Sequence, residues 1–260
     1  MNKFALTKQI KRSEPIHRIK FIENLCRNKT VLDLGCIRHN ADVALADPNW
    51  LHKKIKGVAK SVVGIDYLPD EIKKLNSKGY AIKYADVTEP FFIGEQFDVI
   101  VVGDLIAHLS NFDALFENCK KHLNNDGIIV ITTPNPFYID EFLYLAWKRN
   151  YLMNPEIVCW IDPYAMAQLA ERRGFEITEF HFIKDSWDFP SILLESEQYQ
   201  YDILNDQWEN ETKYLEVKRH LMKRLFNIIY FPFKLIFKLN SELIKYSDYL
   251  VVIKPTMRQK

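Results

Sequence analysis

Glycines and aspartates stand at the ends of successive apolar runs in this chain. They are Gly35, Asp66, Asp86, Gly103 and Asp104. A carboxylate such as Asp66 can accept two hydrogen bonds from a ribose diol, and Asp86 can accept one from an adenine amino group. A glycine such as Gly35 lets the backbone come close to a ligand. One aspartate alone often only caps a helix, but the repeated placement favours a nucleoside-binding site.

Short β-rich runs lead into these residues and alternate with helical patterns. The predicted strands are 30–34, 61–66, 80–86, 97–104 and 127–136, followed later by 175–182 and 249–254. The predicted helices are 14–28, 49–60, 70–80, 112–127 and 163–174. Gly79 and Gly127 are placed to end two of these helices, and Asp162 with Pro163 is placed to begin the last.

This alternation predicts one α/β domain with a doubly wound sheet. The sheet has seven strands, mostly parallel, with helices on both faces. The run VIVV within 97–104 is apolar throughout, as expected for a strand buried on both faces. Residues 17–183 are interpreted as the core of a single domain over 1–260, with a mainly helical insertion at 184–248 and the last strand at 249–254. Ligands of such sheets bind at the carboxyl ends of the strands.

The composition is that of a globular protein without a strong charge preference in its partners. The chain has 260 residues, 48% hydrophobic and 27% charged, and its net charge of +1 gives no argument for nucleic acid. The four cysteines form no CxxC pair and no metal-ligand spacing, so reduced thiols and a cytoplasmic location are expected. The first residues lack the apolar segment of a signal peptide. No run reaches the roughly 18 apolar residues of a spanning helix.

Five segments between the first and fifth strands follow one another as motifs. They read VLDLGC from Val31, VVGID from Val62, YADV from Tyr84, FDVIVVGDLIAHLSN from Phe97 and HLNNDGIIVITTPN from His122. In this order and spacing they resemble the motifs of class I S-adenosylmethionine-dependent methyltransferases. The resemblance covers about residues 17–183 and the last strand. It implies a Rossmann-like fold with S-adenosylmethionine as the cofactor.

The resemblance also implies a set of cofactor-binding residues. They are Asp33, Gly35, Cys36, Asp66, Tyr67, Asp86, Val87, Gly103 and Asp104. The first two would lie by the methionine end of the cofactor. Asp66 would bind the ribose hydroxyls, and Asp86 would bind adenine with Val87 packing nearby. Asp104 and the backbone at Gly103 would line the sulfonium, a cation that nearby carboxylates favour when water is excluded.

The loop after the first strand contains a single glycine, Gly35, where the related loop usually reads GxGxG. A phosphate-binding loop needs several glycines to approach a pyrophosphate, whereas S-adenosylmethionine carries no phosphate. The departure therefore argues against an NAD(P)-dependent oxidoreductase, the alternative enzyme class on a similar sheet. The loop also opens an insertion at 41–54, which with Cys36, Arg38 and His39 is expected to face the acceptor.

The stretch DLIAHL contains Asp104 and His108 and resembles the ExxEH sequence of some metal-assisted O-methyltransferases. Ala107 takes the place of the second acid. Two ligands rarely hold a magnesium ion, so no metal is expected. His108 is the candidate general base, which a poorly nucleophilic hydroxyl needs. His39 and His52 are alternative bases, and simple packing or helix capping is the structural interpretation of each histidine.

The acceptor is expected to be a small molecule bound outside the cofactor core. Methyltransferases with a similar GC..H loop, PNWLH helix and TTPNP segment are associated with sugar and surface-polysaccharide modification. The resemblance therefore implies O-methylation of a nucleotide-linked sugar or glycan. Aromatic residues between 135 and 163 would pack against sugar rings, and Arg18, Lys148 and Arg149 would meet phosphate.

The segment 216–239 is basic and aromatic. It fits weak contact with an anionic membrane surface, which makes a peripheral membrane methyltransferase acting on a lipid-linked glycan or quinone the alternative function. The simpler interpretation is a helical pair, split at Pro232, that covers the sheet or forms a homodimer contact.

Overall fold

The computed structural model of the protein describes residues 3–139, 141, 142, 145, 156–184 and 246–256. Most of the predicted insertion 184–248 lies outside the described residues, and so does the basic aromatic segment 216–239. Lys148 and Arg149 also lie outside them. The roles that the sequence suggests for these parts stay predictions.

Seven strands form a single sheet. They are β1 (Thr30–Leu34), β2 (Ser61–Asp66), β3 (Ile82–Tyr84), β4 (Phe97–Gly103), β5 (Leu123–Pro134), β6 (Phe175–Ile183) and β7 (Asp248–Pro255). Their order across the sheet is β3-β2-β1-β4-β5-β7-β6. Strand β7 runs antiparallel to both neighbours, and the pairs from β3 through β5 are parallel. The predicted seven-stranded, mostly parallel sheet is confirmed.

Helices cover both faces of the sheet, as predicted. In chain order they are α1 (Lys3–Arg12), α2 (Arg18–Cys26), α3 (Ala41–Ala46), α4 (Leu51–Val58), α5 (Pro69–Ser77), α6 (Phe112–His122) and α7 (Pro163–Arg172), with a 3-10 turn at Ile106–His108. Ile22 of α2 and Ile55 of α4 pack with one set of β4 side chains. Leu115 of α6 and Met166 of α7 pack with the alternate set, so β4 is buried on both faces.

The strand order reverses between β1 and β4. Strands β2 and β3 extend the sheet on one side of this point, and β4 and β5 extend it on the other. The loops that leave β1 and β4 therefore part in opposite directions and open a crevice at the carboxyl edge. Gly35, Asp66 and Gly103 stand at the ends of the three strands around this crevice.

The structure confirms one of the two helix ends that were predicted at a glycine, and the other prediction is wrong. Gly79 follows Lys78, the C-cap of α5, and has a φ of +84°, which confirms it as a helix stop. Gly127 does not end α6, because the helix stops at His122 and Gly127 lies within β5. The physical reason is a contact distant in sequence: the Asn124 side-chain amide donates to Asp98 Oδ1 at 2.9 Å, which ties the chain to the start of β4.

Other predicted bounds shift by a few residues. Helix 14–28 begins later than predicted, because Ile16 N–H donates to the Phe182 carbonyl at 2.8 Å and the chain is extended there. The strand predicted at 80–86 is shorter in the structure, where β3 contains only Ile82–Tyr84. The predicted start of α7 is confirmed: the Asp162 carboxylate accepts from the backbone N–H of Tyr164 at 2.8 Å, and Pro163 opens the helix.

Within the described parts of the chain, no helix is long and apolar enough to cross a bilayer. All four cysteines are free thiols. Burial raises the pKa of Cys119 to about 12 and that of Cys26, beside Asp33, to about 12. These two thiols are therefore protonated and packed rather than nucleophilic. The cytoplasmic location stays a prediction.

Candidate active site

Gly35 brings the loop after β1 close to the loop after β4. Its φ is +69°, and its N–H donates to the Ile65 carbonyl at 2.9 Å. A Cβ at this position would lie 2.9 Å from the Leu105 side chain. Both the backbone conformation and the available space therefore call for glycine here.

Asp66 at the end of β2 bridges two loops. The residue is buried; its Oδ2 accepts from Ile37 N–H at 2.9 Å and its Oδ1 accepts from Tyr67 N–H at 2.8 Å. Burial raises the pKa of the Asp66 carboxyl, and these backbone donors oppose the rise. Tyr67 is exposed beside it. The carboxylate is thus fixed in position at the edge of the crevice.

Asp86 follows β3 and is exposed at the same edge. Its Oδ1 accepts from the backbone N–H of Thr88 at 2.8 Å and from the Thr88 hydroxyl at 2.7 Å. Val87 is buried and belongs to the core cluster of the sheet. The carboxylate therefore closes a turn, while the next residue gives the edge an apolar surface.

Asp104 follows β4 with an unusual backbone conformation and a cationic partner. Its φ is +56°, which is uncommon for a residue with a side chain. Thr132 donates from its hydroxyl to Asp104 Oδ1 at 2.7 Å, and an Arg18 guanidinium nitrogen lies 2.8 Å from Oδ2. A Cβ on Gly103 would come within 3.1 Å of the same guanidinium. The sequence names Arg18, Gly103 and Asp104 as candidates but gives no sign of the Arg18–Asp104 pair, and Thr132 is not among its candidates.

Asp33 points away from the surface toward a histidine of α4. Asp33 is 2% exposed and His52 is 0% exposed, and Asp33 Oδ2 lies 2.9 Å from His52 Nδ1. The full burial of His52 corrects its interpretation as an alternative base, because its imidazole cannot reach an acceptor. Sequence reasoning missed this pair, although the insertion that contains His52 was singled out.

His39 follows β1 and His108 follows β4, and the two histidines interact electrostatically. The Nδ1 atom of His108 lies 3.1 Å from the Glu156 carbonyl oxygen. The pKa of His39 is lowered, first by desolvation and then by Arg38 and His108, while Glu156 raises it. His39 also adopts a φ of +56°. Two of the three candidate bases thus lie close enough to influence each other.

The chain around Glu156 is anchored to the turn that contains His108. Val158 and Cys159 donate their N–H groups to the Ala107 carbonyl at 2.9 and 3.1 Å. Val158 and Trp160 expose apolar surface on this segment. Across the described residues, no group of three or more histidines, cysteines, aspartates and glutamates is arranged to hold a metal ion.

The loop at the crevice lacks the several glycines of a phosphate-binding loop. Gly35 supplies one point of close backbone approach, and Asp66 places a fixed carboxylate beside it. Ile37, which occupies the position of the second glycine in a GxGxG loop, is buried by packing together with its neighbour Cys36. In a doubly wound sheet, the crevice at the point where the strand order reverses is the place where ligands bind.

A family model described as a methyltransferase domain matches residues 8–179, which is more than half of the chain. The chain belongs to this family, and its cofactor is S-adenosylmethionine. The alternative of an NAD(P)-dependent oxidoreductase is set aside by this match.

Curated relatives match parts of the chain. It is 32% identical over 104 residues to (S)-coclaurine N-methyltransferase of Papaver somniferum, covering 40% of this chain and 29% of that protein. It is 26% identical over 141 residues to ubiquinone biosynthesis O-methyltransferase of Glaesserella parasuis, covering 47% and 56% respectively. The chain thus spans less than two thirds of the length of these relatives.

A solved structure of similar fold covers nearly the whole chain. It is a SAM dependent methyltransferase from Archaeoglobus fulgidus, with a TM-score of 0.52 and 18% identity over 97% of this chain and 100% of that one. The likeness shows the fold.

Proposed function

We propose that the protein transfers the methyl group of S-adenosylmethionine to a hydroxyl of a small acceptor, a nucleotide-linked sugar or a surface-glycan precursor. The observation that carries the proposal is the crevice between β1 and β4 with Gly35, Asp66 and Asp104 at its edge in a chain of the methyltransferase family. The sugar is supported by the resemblance of the loop and insertion to methyltransferases of polysaccharide modification.

In this proposal, the residues that follow β1, β2 and β3 each contact a different part of the cofactor. Asp66 accepts hydrogen bonds from the ribose diol, and Asp86 accepts one from the adenine amino group. Val87, Cys36 and Tyr67 pack around the nucleoside. Gly35 and Asp33 belong to the methionine end, where Asp33 acts from beneath the loop because it is buried.

The sulfonium lies beside Gly103 and Asp104 in the proposed arrangement. Asp104 is neutralised on one side by Arg18. Arg18 in turn offers a cation for the methionine carboxylate. We prefer this role to the phosphate contact that the sequence suggests, because Arg18 lies beside Asp104. The negative Asp104 then faces the positive sulfonium, and the positive Arg18 faces the negative methionine carboxylate.

His108 is proposed as the general base, and its hydrogen bond with the Glu156 carbonyl determines which ring nitrogen can accept the proton. The Glu156 carbonyl can only accept, so Nδ1 of His108 carries the proton and donates to it. The lone pair is then on Nε2. The acceptor hydroxyl loses its proton to Nε2 as its oxygen bonds to the methyl carbon and the carbon–sulfur bond breaks. Holding the three atoms in line supplies much of the acceleration.

An amine acceptor is the second candidate, and the 32% identity to an N-methyltransferase favours it. An amine that arrives unprotonated needs no base of the kind proposed for His108. The two candidates therefore differ in how strongly turnover depends on that imidazole. The membrane-associated alternative and a homodimer contact rest on residues 216–239 and stay predictions.

The test is a methylation screen with isotope-labelled S-adenosylmethionine. Nucleotide-sugars, glycan precursors, small amines, quinone precursors and lipid extracts are offered separately, and the product mass identifies the methylated molecule. A nucleotide-sugar or glycan whose label stays on the sugar after treatment with mild base, as a methyl ether does and a methyl ester does not, supports the proposal. Label found only in amines, quinones or lipids contradicts the sugar, and label in none of them contradicts the acceptor class as a whole.

A further inference from the structure

The insertion between β1 and β2 is packed into the structure beneath the loop that follows β1. Its first helix, α3, starts at Ala41, whose N–H donates to Glu71 Oε2 at 2.7 Å. Its second helix, α4, begins after Trp50, which is 2% exposed. The ring of Trp50 packs against that of Tyr80 with centroids 4.7 Å apart and an angle of 53° between the ring planes. The insertion is thus held by contacts with α5 and with Tyr80, which lies shortly before β3.

Two side chains of this insertion bond to the β1 segment. The indole Nε1–H of Trp50 donates to the Cys36 carbonyl at 2.7 Å. Nδ1 of His52 lies 2.9 Å from the Asp33 carboxylate. Trp50 and His52 therefore hold the chain on both sides of Gly35.

The peptide unit between Cys36 and Ile37 is held at both ends. Its carbonyl accepts from Trp50 at 2.7 Å, and its N–H donates to Asp66 Oδ2 at 2.9 Å. Because a peptide unit is planar and rigid, fixing the carbonyl direction also fixes the N–H direction. Trp50 thereby sets the position of a hydrogen bond to the carboxylate proposed to bind ribose.

Gly64 of β2 shows how closely these parts fit. A Cβ on Gly64 would lie 2.5 Å from the Cys36 sulfur and 3.0 Å from His52 Cε1. Cys36 of the loop and the buried imidazole of His52 fill the space next to Gly64. The loop therefore packs directly against β2 and α4.

We propose that Trp50 and His52 are positioning residues for cofactor binding: they hold the loop 35–37 in its binding conformation where related loops rely on further glycines. The proposal rests on the proposed function in one respect, that the cofactor binds over Gly35 and Asp66. It makes α4 part of the cofactor site, although the sequence assigns the insertion to the acceptor.

Binding of S-adenosylhomocysteine to the full chain, measured by isothermal titration calorimetry, tests the proposal. Trp50→Phe keeps a ring and removes the indole donor, and it is expected to weaken binding by about tenfold, since a buried carbonyl is left unpaired. His52→Ala is expected to weaken binding at least as much. His52→Asn is expected to recover part of the loss, because its amide nitrogen can replace Nδ1 as donor to Asp33.

His122→Ala is the matched control. His122 is also 0% exposed, with Nδ1 bonded to the Asn118 carbonyl at 2.7 Å, but it precedes Leu123 at the opposite, amino edge of the sheet. Its loss is expected to lower the melting temperature without changing the dissociation constant of the folded protein. In steady-state kinetics, Trp50→Phe is expected to raise KM for S-adenosylmethionine and leave kcat and the acceptor KM unchanged.

A double-mutant cycle separates positioning from general stability. In an Asp66→Asn background, Trp50→Phe is expected to cost much less affinity than in the wild type, because the contact through which it acts is already weakened. Equal affinities for wild type, Trp50→Phe and His52→Asn would overturn the proposal even if His52→Ala did not fold. Failure of the wild-type protein to bind would instead overturn the placement of the cofactor, and the positioning role with it.

Discussion

Gly64→Ala is expected to destabilise the protein, because the added methyl group has no room. It would lie 2.5 Å from the Cys36 sulfur and 3.0 Å from His52 Cε1, and both neighbours belong to other segments. Overpacking of this kind costs about 1–3 kcal/mol, and the 2.5 Å contact places the substitution in the upper half of that range. The loop and α4 would have to move apart.

Gly57→Ala is the control for the same chemical change. Gly57 is exposed within α4, and a Cβ there would meet nothing within 4 Å. Alanine in a helix is more favourable than glycine by about 0.5–1 kcal/mol, so this variant is expected to gain stability. Cys36→Ala in the Gly64→Ala background removes the sulfur and is expected to recover part of the loss.

Urea denaturation followed by circular dichroism measures these differences, with the m-value checked for constancy. The expected order of stability is Gly57→Ala, wild type, the double variant and then Gly64→Ala. A Gly64→Ala protein as stable as the wild type would refute the close fit among β2, the loop and α4. A double variant no better than Gly64→Ala would show that the cost is set by His52 or by Ile82, whose Cγ1 would lie 3.1 Å from the added methyl group, and not by the sulfur.

Three further predictions concern the site and its supports. His108→Ala is expected to lower kcat by about 10²–10⁴ with an unchanged affinity for S-adenosylhomocysteine, and a larger loss in His39→Ala would move the base role to that residue. Thr132→Val removes a hydroxyl bonded to half-exposed Asp104 and is expected to cost about 1–2 kcal/mol in urea denaturation; no loss would contradict the bond. Thr30 N–H holds the pKa of Asp98 below 3.8, so stability present above that value is lost as pH falls through the folded pKa. Asp98→Asn is expected to flatten this part of the stability profile in melts at acid pH, and an unaltered slope would contradict the assignment.

Local sequence patterns were sufficient for the order of the seven strands and of five helices, but the helices α1 and α3 were not predicted. Residues 97–104 read as a buried strand because both faces of β4 are covered by helices. Asp162 and Pro163 begin α7 through contacts within three residues of each other. Such features depend on neighbours in sequence, and the sequence contains them directly.

Features set by distant contacts were not predictable in the same way. Asn124 leaves the helical pattern because it bonds to Asp98. His52 is a reasonable base by residue type, and only the packing of α4 shows that it faces Asp33. Arg18 and Asp104 are 86 positions apart in sequence, and nothing in either segment indicates the other. Side-chain direction after folding decides each of these roles.

Titration of the wild-type protein and of Asp66→Ala with S-adenosylhomocysteine tests the central claim most directly, with Asp98→Ala as an aspartate control at the opposite edge of the sheet. The account predicts one bound molecule per chain, a loss of about tenfold or more in Asp66→Ala, and wild-type affinity in folded Asp98→Ala. Wild-type affinity in Asp66→Ala, or no binding by the wild type, would contradict it.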